Sequence, residues 1–229
     1  MKFLLNLLFP KFCIGCNRIG SYICADCFGT FKYLSPQRCP YCFSPSDNGF
    51  THIHCMSTDG IDGGYSVLNY SGIAKIVIKD IKYRRIYSVL EDFFAGLPKE
   101  KMKEITTTIR SYNIDYIQPV PLHRERKKLR GFNQSEKIAQ QITHHTNIPL
   151  VNIVQRTVNT SPQAQITNKE MRNKNIKGAF TYCGEDFYKG KNILLIDDLY
   201  TTGSTSKEIA KELKRNGIAN VFCFSLAHG

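Results

Sequence analysis

One segment constrains the fold of this chain more than any other, because an apolar run is followed at once by two carboxylates and then by small hydroxyl residues. Residues 193–196 are four consecutive aliphatic side chains, which is typical of a strand buried on both faces of a parallel sheet. Residues 206–216, closed by Gly217, predict the helix that follows. The polar residues between them therefore belong at the carboxyl end of a strand, the edge where open α/β sheets bind ligands.

The polar turn after this strand has the chemistry that a phosphate and a ribose need. Gly203 lets the backbone approach a ligand closely, while its neighbours offer hydroxyl donors to a 5′-phosphate. Asp197 and Asp198 would repel that phosphate, so we expect at least one of them to accept hydrogen bonds from ribose hydroxyls or to hold a divalent cation. The alternative is an ordinary strand, turn and helix with a capping hydroxyl. The hydroxyl residues are Thr201, Thr202, Ser204 and Thr205.

A second strand, loop and helix pattern lies earlier in the chain. Its loop, residues 119–134, carries five cationic side chains and then Gly131, just before a helix predicted from Ser135. Fixed positive charge and the free amides of a helix N-terminus favour a pyrophosphate. A solvated run of charge is the alternative, although it would require neither the Pro-x-Pro nor the Gly-Phe-Asn-Gln of this loop. The cationic residues are Arg124, Arg126, Lys127, Lys128 and Arg130.

The first 55 residues contain seven of the nine cysteines, arranged as C-x-x-C pairs. Such pairs place two thiolates on one tight turn, which is how tetrahedral zinc sites are assembled. The fourth pair has His52 in place of one cysteine, and His54 is a less well spaced alternative. We therefore predict two closed, structural zinc sites, made of Cys13, Cys16, Cys24 and Cys27, and of Cys39, Cys42, His52 and Cys55.

Spacing alone leaves alternatives open for this head. A crossed pairing of the ligands fits the same spacing, and the atypical second site leaves the zinc count at one or two. A disulfide framework would require a secreted protein. Residues 2–9 are apolar but too short to span a bilayer, and Pro10 follows without a cleavage site. We expect a short amphipathic helix there, no membrane insertion, and a cytoplasmic protein.

Charge and length limit the classes of ligand and the number of domains. The net charge of +12 favours an anionic small molecule or a polyanion, without separating the two. At 229 residues the chain is long enough for one large domain, or for a medium domain and a small module. Turn signals near residues 59–64 mark the passage between them. We predict a cysteine-rich module at 1–58 and an α/β domain at 59–229.

The turn and the basic loop together carry a family resemblance. The Asp-Asp-x-x-Thr-Thr-Gly-Ser-Thr turn resembles the signature for phosphoribosyl pyrophosphate (PRPP) of type I phosphoribosyltransferases. With Pro-Val-Pro-Leu-His and Arg-Gly-Phe-Asn-Gln-Ser in the basic loop, and with Gln163, Arg172 and Asn175 before Ala179-Phe180, nearly the whole chain is similar to the ComF-type competence proteins and their GntX-like relatives. Their double zinc ribbon resembles the cysteine head, apart from His52.

This resemblance implies an open, mostly parallel phosphoribosyltransferase-like sheet with flanking helices, and a role in DNA uptake during natural transformation. It implies PRPP as ligand together with Mg²⁺, transfer of a phosphoribosyl group, and closure of a mobile loop at 157–180 over the site. Catalytic roles fall to Asp197, Asp198, Arg124 and Arg130. PRPP-binding roles fall to Thr201, Thr202, Gly203, Ser204, Thr205, Lys82, Asn133 and Gln134.

Two other classes of function stay open at this point. The chain could be a non-catalytic module that holds single-stranded DNA or a competence helicase on a retired transferase fold. Aromatic residues around the cysteine pairs would then stack on bases, unless they fill the core of the module. A PRPP-sensing repressor would require a DNA-reading helix, which the sequence does not indicate. The aromatic residues concerned are Tyr22, Phe28, Phe31, Tyr41 and Phe43.

Overall fold

A four-stranded parallel sheet forms the centre of the molecule. The computed structural model describes residues 10–83, 88–159 and 176–229, and the sheet lies within these ranges. Its strands are β1 (Gly63–Asn69), β2 (Tyr116–Pro119), β5 (Asn192–Tyr200) and β6 (Asn220–His228), in the order β1-β6-β5-β2. Every neighbouring pair is parallel. The predicted open parallel sheet of an α/β protein is confirmed.

Helices and a small antiparallel pair of strands cover the two faces of this sheet. The described helices are α1 (Ala25–Gly29), α2 (Gly72–Tyr83), α3 (Ser88–Gly96), α4 (Lys99–Ser111), α5 (Arg124–Arg130), α6 (Gln134–Thr146) and α7 (Ser204–Arg215). A separate antiparallel pair joins β3 (Val154–Arg156) to β4 (Phe180–Tyr182). Helices α2, α3, α4 and α6 share one hydrophobic cluster with the sheet, while α7 and the β3–β4 pair share the other.

Burial on both faces explains why the central strands are continuously apolar. Along β5, Leu194 and Ile196 face the first cluster, whereas Ile193 and Leu195 face the second. Alternate side chains of a strand point to opposite faces, so a strand between two helical layers requires apolar residues at every position. The strand extends through both carboxylates to Tyr200, further than the apolar run alone predicts.

The basic segment between β2 and α6 is helical where the sequence predicted a loop. Helix α5 begins after His123, whose ring Nδ1 accepts a hydrogen bond from the amide of Glu125 at 3.4 Å. It ends at Gly131, which adopts a left-handed conformation with φ of 80°. A capping side chain and a C-terminal glycine are the ordinary limits of a short helix. The cationic residues of this segment therefore lie on a helical surface.

The cysteine-rich head packs directly against the sheet and its first helical layer. Phe28 and Phe31 pack against Phe93 of α3, with ring centroids 6.0 Å and 5.7 Å away. Backbone bridges from Tyr33 and Phe50 cover the outer edge of β1. Since Phe31 is buried in this contact, it fills the core and presents no face to a nucleic acid base.

None of the helices in residues 10–83, 88–159 and 176–229 combines the length and apolar character that crossing a membrane would require. The helix expected at residues 2–9 lies outside the described residues.

Replacement of a fully buried leucine in β5 should cost substantial stability. Leu194 is 0% exposed between the sheet and the helices of the first cluster, so we expect Leu194→Ala to lower the free energy of unfolding by about 2–5 kcal/mol. Ile76→Ala, at a position 43% exposed on α2, should change it by less than about 0.5 kcal/mol. Urea denaturation followed by circular dichroism measures both, and equal losses would contradict the burial of β5.

Candidate ligand and metal sites

The two carboxylates of the motif lie near the carboxyl end of β5, on opposite faces of the strand. Asp198 is on the side of α2, where its Oδ1 lies 2.9 Å from Nζ of Lys82. The side chains of Asp198 and Lys82 are 8% and 23% exposed, so water screens this ion pair only weakly. Burial alone would lower the pKa of Lys82, but the charges of Asp198 and Asp197 raise it above its ordinary value. Lys82 therefore stays cationic beside Asp198.

Asp197 has a different environment from that of Asp198. Its Oδ1 accepts hydrogen bonds from Oγ of Ser135, at 3.3 Å, and from the backbone amide of Asp198, at 2.8 Å. Loss of solvation, and then the negative charge of Asp198, raise its pKa to about 7. The carboxyl of Asp197 therefore titrates near neutral pH.

The turn at residues 201–205, called here the phosphate turn, joins β5 to α7. Gly203 has φ of 70°, and the hydroxyls of Thr202 and Ser204 lie 2.7 Å apart. Helix α7 begins at Ser204, so its first amides have no acceptor within the helix itself. Hydroxyls and amides at the N-terminus of a 12-residue helix can bind an anion, and phosphate is the usual one.

The site residues predicted in the basic segment differ in their exposure to solvent and in their contacts. Arg124 is exposed at the start of α5, whereas Arg130 is half-buried and close enough to Lys82 to affect its pKa. Asn133 caps α6, accepting from the amide of Ser135 at 3.1 Å and donating to the carbonyl of Val120 at 3.0 Å. The side chain of Asn133 is therefore engaged in holding the start of α6.

Gln134 is placed differently from Asn133. It is 2% exposed, and no described residue accepts a hydrogen bond from its buried Nε2. A buried amide without an acceptor is costly in a folded protein, so such a donor commonly marks a place that a water or a ligand completes.

Arg156 is a site residue that the sequence reasoning missed. It ends β3 and is half-buried beside the ring of Phe180, 5.6 Å from the ring centroid. Burial, and then the positive charge of Arg126, lower its pKa to about 10, and the charges of Arg130 and Asp197 also act on it. Arg156 is thus close enough to Asp197, Arg126 and Arg130 for their charges to act on its pKa. The only feature of the sequence that pointed to Arg156 was its position directly before the 157–180 segment.

The ends of that segment are held together by the β3–β4 pair. The amide of Thr157 donates to the carbonyl of Ala179 at 3.0 Å. The mobile loop predicted here falls mostly on residues 160–175, with Gln163, Arg172 and Asn175, and these lie outside the described residues.

The first metal site is the cluster of Cys13, Cys16, Cys24 and Cys27. Their sulfur atoms all lie within 4.8 Å of one another, as four ligands of one ion require. The amide of Cys24 donates to Sγ of Cys13 at 3.4 Å. Although burial acts to raise the pKa of the Cys13 thiol, this and neighbouring amides lower it to about 6. The thiolate is the form that binds zinc, so the site fits a structural zinc ion.

The second metal site brings together Cys39, Cys42, His52 and Cys55, again within 4.8 Å. Nδ1 of His52 lies 3.3 Å from Sγ of Cys42, and its Nε2 lies 3.1 Å from the carbonyl of Pro45. One ring nitrogen thus faces the thiols and the other contacts a backbone carbonyl, the arrangement usual for a histidine that binds zinc. The ligand atoms gather in the uncrossed pairing, and His54 stacks on His52 outside this cluster.

The cysteine-rich head matches a known domain family, and most of the chain is similar to known proteins. Residues 4–56 match the family model of the double zinc ribbon domain. Competence protein F of Haemophilus influenzae is 28% identical over 94% of this chain and 89% of its own length. The DNA utilization protein YhgH of Salmonella typhi is 30% identical over 68% and 67%, and competence protein ComFC of Bacillus subtilis is 25% identical over 89% and 83%.

Among solved structures, a purine phosphoribosyltransferase from Pyrococcus horikoshii is similar to this chain. It is 15% identical, with a TM-score of 0.35, and the similarity covers 56% of this chain and 79% of the other.

The two adjacent histidines offer a matched test of the second metal site. We expect wild-type protein to retain two zinc ions per chain after dialysis against zinc-free buffer, and His52→Ala to retain one. His54→Ala should retain two, because His54 lies outside the cluster of ligand atoms. Elemental mass spectrometry measures the zinc content, and equal losses in the two variants would contradict the assignment of His52.

Proposed function

Since this chain belongs to the family of ComF-type competence proteins, we propose that it binds PRPP together with Mg²⁺ at the carboxyl edge of its parallel sheet. It transfers the phosphoribosyl group to an acceptor, and it acts in DNA uptake during natural transformation. Its sheet is that of a type I phosphoribosyltransferase, and residues 1–58 form a zinc-ribbon module beside it. The protein acts in the cytoplasm.

The observation that carries this proposal is the grouping of opposite chemistries at one edge of the sheet. Asp197 and Asp198 lie near the end of β5, Lys82 of α2 pairs with Asp198, and the phosphate turn begins three residues after Asp198. Cationic side chains of α5 and β3 lie close by, since Arg130 acts on the pKa of Lys82 and of Arg156. A ligand with a ribose between a phosphate and a pyrophosphate matches this order of groups.

Different residues of the site bind different parts of PRPP. The phosphate turn binds the 5′-phosphate through hydroxyls and helix amides. Asp197 and Asp198 accept hydrogen bonds from the ribose hydroxyls, and Lys82 reduces the repulsion between Asp198 and the anionic ligand. Gln134 offers its buried Nε2 as a donor. The oxygen donors of the ribose and the carboxylates suit Mg²⁺, which neutralises the pyrophosphate when bound.

Transfer breaks the bond between C1′ and the pyrophosphate oxygen, and the electron pair leaves on that oxygen. A bond between C1′ and the nucleophilic atom of the acceptor forms in its place. Because negative charge grows on the leaving group, fixed cations stabilise the transition state more than the ground state. Arg124 and Arg130 of α5 fill this role, supported by Lys82. Catalysis is therefore electrostatic and positional.

Removal of either carboxylate should weaken the binding of PRPP. We expect Asp197→Asn and Asp198→Asn each to lower the affinity for PRPP with Mg²⁺ by about tenfold or more, the loss typical of a hydrogen bond to a charged group. Asp186→Asn is the matched control, because Asp186 is an exposed carboxylate in a surface ion pair with Lys189. Isothermal titration calorimetry measures the three affinities against wild type.

The second candidate function is a non-catalytic module that binds single-stranded DNA or a competence helicase. The net charge of +12 and the relatives named DNA utilization proteins favour it. Salt-dependent binding of a single-stranded oligonucleotide, with no PRPP binding in the calorimeter, would replace the first proposal by this one. PRPP binding that all three aspartate variants retain would contradict the site.

The pH dependence of binding should report Asp197. Since its pKa is raised to about 7, mainly by burial, the carboxyl is mostly protonated at pH 6 and mostly ionised at pH 8. Only the ionised form accepts two ribose hydrogen bonds, so we expect PRPP affinity to rise by about tenfold over this range. The phosphates of PRPP titrate nearby, and Asp197→Asn corrects for them. A profile that is equally steep in Asp197→Asn would contradict the role of Asp197.

A further inference from the structure

Lys207 contacts the backbone of the phosphate turn. It lies on the first turn of α7, and its Nζ donates a hydrogen bond to the carbonyl of Thr202 at 3.1 Å. In a trans peptide the carbonyl and the following amide point in opposite directions. By holding this carbonyl, Lys207 directs the amide of Gly203 to the opposite side of the turn. Gly203 is the residue at which the chain turns, with φ of 70°.

Two aromatic rings of the cysteine-rich head hold Lys207 in this position. Its Nζ lies 4.4 Å from the ring centroid of Tyr41 and 5.9 Å from that of Phe43, within the range of cation–π attraction. We call these two rings the aromatic clamp. The hydroxyl of Tyr41 accepts from the amide of Ile61 at 2.9 Å, which fixes its ring against the sheet.

The aromatic clamp is part of the second metal site. Tyr41 lies between the ligands Cys39 and Cys42, and Phe43 directly follows Cys42. A hydrogen bond from the amide of Phe43 to the carbonyl of Cys39, at 3.0 Å, closes the turn. Phe43 has φ of 62°, which an aromatic residue adopts only where its surroundings enforce it. Ligation of both cysteines by one ion supplies that constraint.

The same turn also contacts the end of β5 itself. The hydroxyl of Tyr200 donates to the carbonyl of Pro40 at 3.0 Å in the interior. Tyr200 is the last residue of β5 and immediately precedes the phosphate turn. The second metal site thus contacts the phosphate turn at both of its ends, through Tyr200 before it and through Lys207 after it.

We infer that the second metal site positions the phosphate turn for its ligand, with Lys207 and the aromatic clamp as the connection between them. This inference rests on the proposed function, since it takes the ligand of the turn to be the 5′-phosphate of PRPP. Zinc in the second site and PRPP in the ligand site then strengthen each other's binding by the same factor, because coupling between two sites is reciprocal. Lys207 is a positioning residue here, and it acts through the backbone of Thr202.

The first metal site provides an internal comparison. Its surroundings pack against the first helical layer, where the amide of Tyr22 donates to Asp92 of α3 at 2.7 Å and Phe28 contacts Phe93. A loss of zinc there should loosen the head without acting on the phosphate turn. Cys16 and Cys42 are both exposed ligands, one in each site, so they form a matched pair for substitution.

The test measures PRPP affinity in full-length protein by calorimetry with Mg²⁺, with zinc content measured in parallel. We expect Cys16→Ser and Cys42→Ser each to weaken zinc retention at one site. Cys42→Ser should lower PRPP affinity by about tenfold, a usual size for coupled sites, and Cys16→Ser by less than about twofold. In wild type, PRPP should slow the loss of zinc to a chelator from the second site and not from the first.

Substitutions of Lys207 test the connection without touching a metal ligand. Lys207→Gln should lower PRPP affinity by about tenfold at full zinc content, whereas Lys207→Arg should bind within about threefold of wild type because it keeps the cation over the rings. In the Lys207→Gln background, Cys42→Ser should cost little more, as expected for a shared path. The PRPP-dependent protection of zinc should also disappear in Lys207→Gln.

Different negative results would overturn different parts of the proposal. Absence of PRPP binding to the zinc-loaded wild type would overturn the proposed function, and the inference with it. PRPP binding that is equally sensitive to Cys16→Ser and Cys42→Ser, or additive losses in the Lys207→Gln background, would overturn the inference and leave the proposed function standing. An unfolded Cys42→Ser protein, detected by circular dichroism, would leave the decision to the Lys207 variants and to the protection of zinc in wild type.

Discussion

The parallel pairing of β5 with both β2 and β6 is the constraint on which the rest of the molecule depends. Because β5 is buried between two layers, its register decides what its last residues meet on each face. Asp198 reaches Lys82 of α2 on one side, and Asp197 reaches Ser135 of α6. A shift of one residue would exchange these environments. The different contacts of the two carboxylates are therefore a product of strand register.

The same edge of the sheet brings together side chains of both charges, and these side chains are partly removed from water. Lys82 and Asp198 form an ion pair, whereas Arg156 is half-buried and close to the like charges of Arg126 and Arg130. The negative charge of Asp197 acts on Arg156 in the opposite direction, so cations and carboxylates influence one another at this edge of the sheet.

The two metal sites of the head have different neighbours and hence different consequences. The first supports packing against α3, where aromatic rings meet in the core. The second lies at the phosphate turn, where Pro40 and the aromatic clamp contact residues on either side of it. A module that sequence alone sets apart from the α/β domain thus contacts the residues on both sides of the phosphate turn.

The sequence by itself determined the elements that depend on local pattern. The apolar run of β5, the hydroxyl residues around Gly203 and the spacing of the cysteine pairs each follow from short-range stereochemistry, and the resemblance rests on them. Tertiary structure alone decided the contacts between distant segments, such as Lys82 with Asp198, Arg156 near Asp197, and Lys207 with Tyr41. It also placed His52 rather than His54 among the thiols, and it folded the basic segment into α5. These pairings depend on how the sheet, the helices and the head pack together. Electrostatic interactions and burial depend on the distance between side chains in space, and the spacing of residues along the chain does not encode that distance.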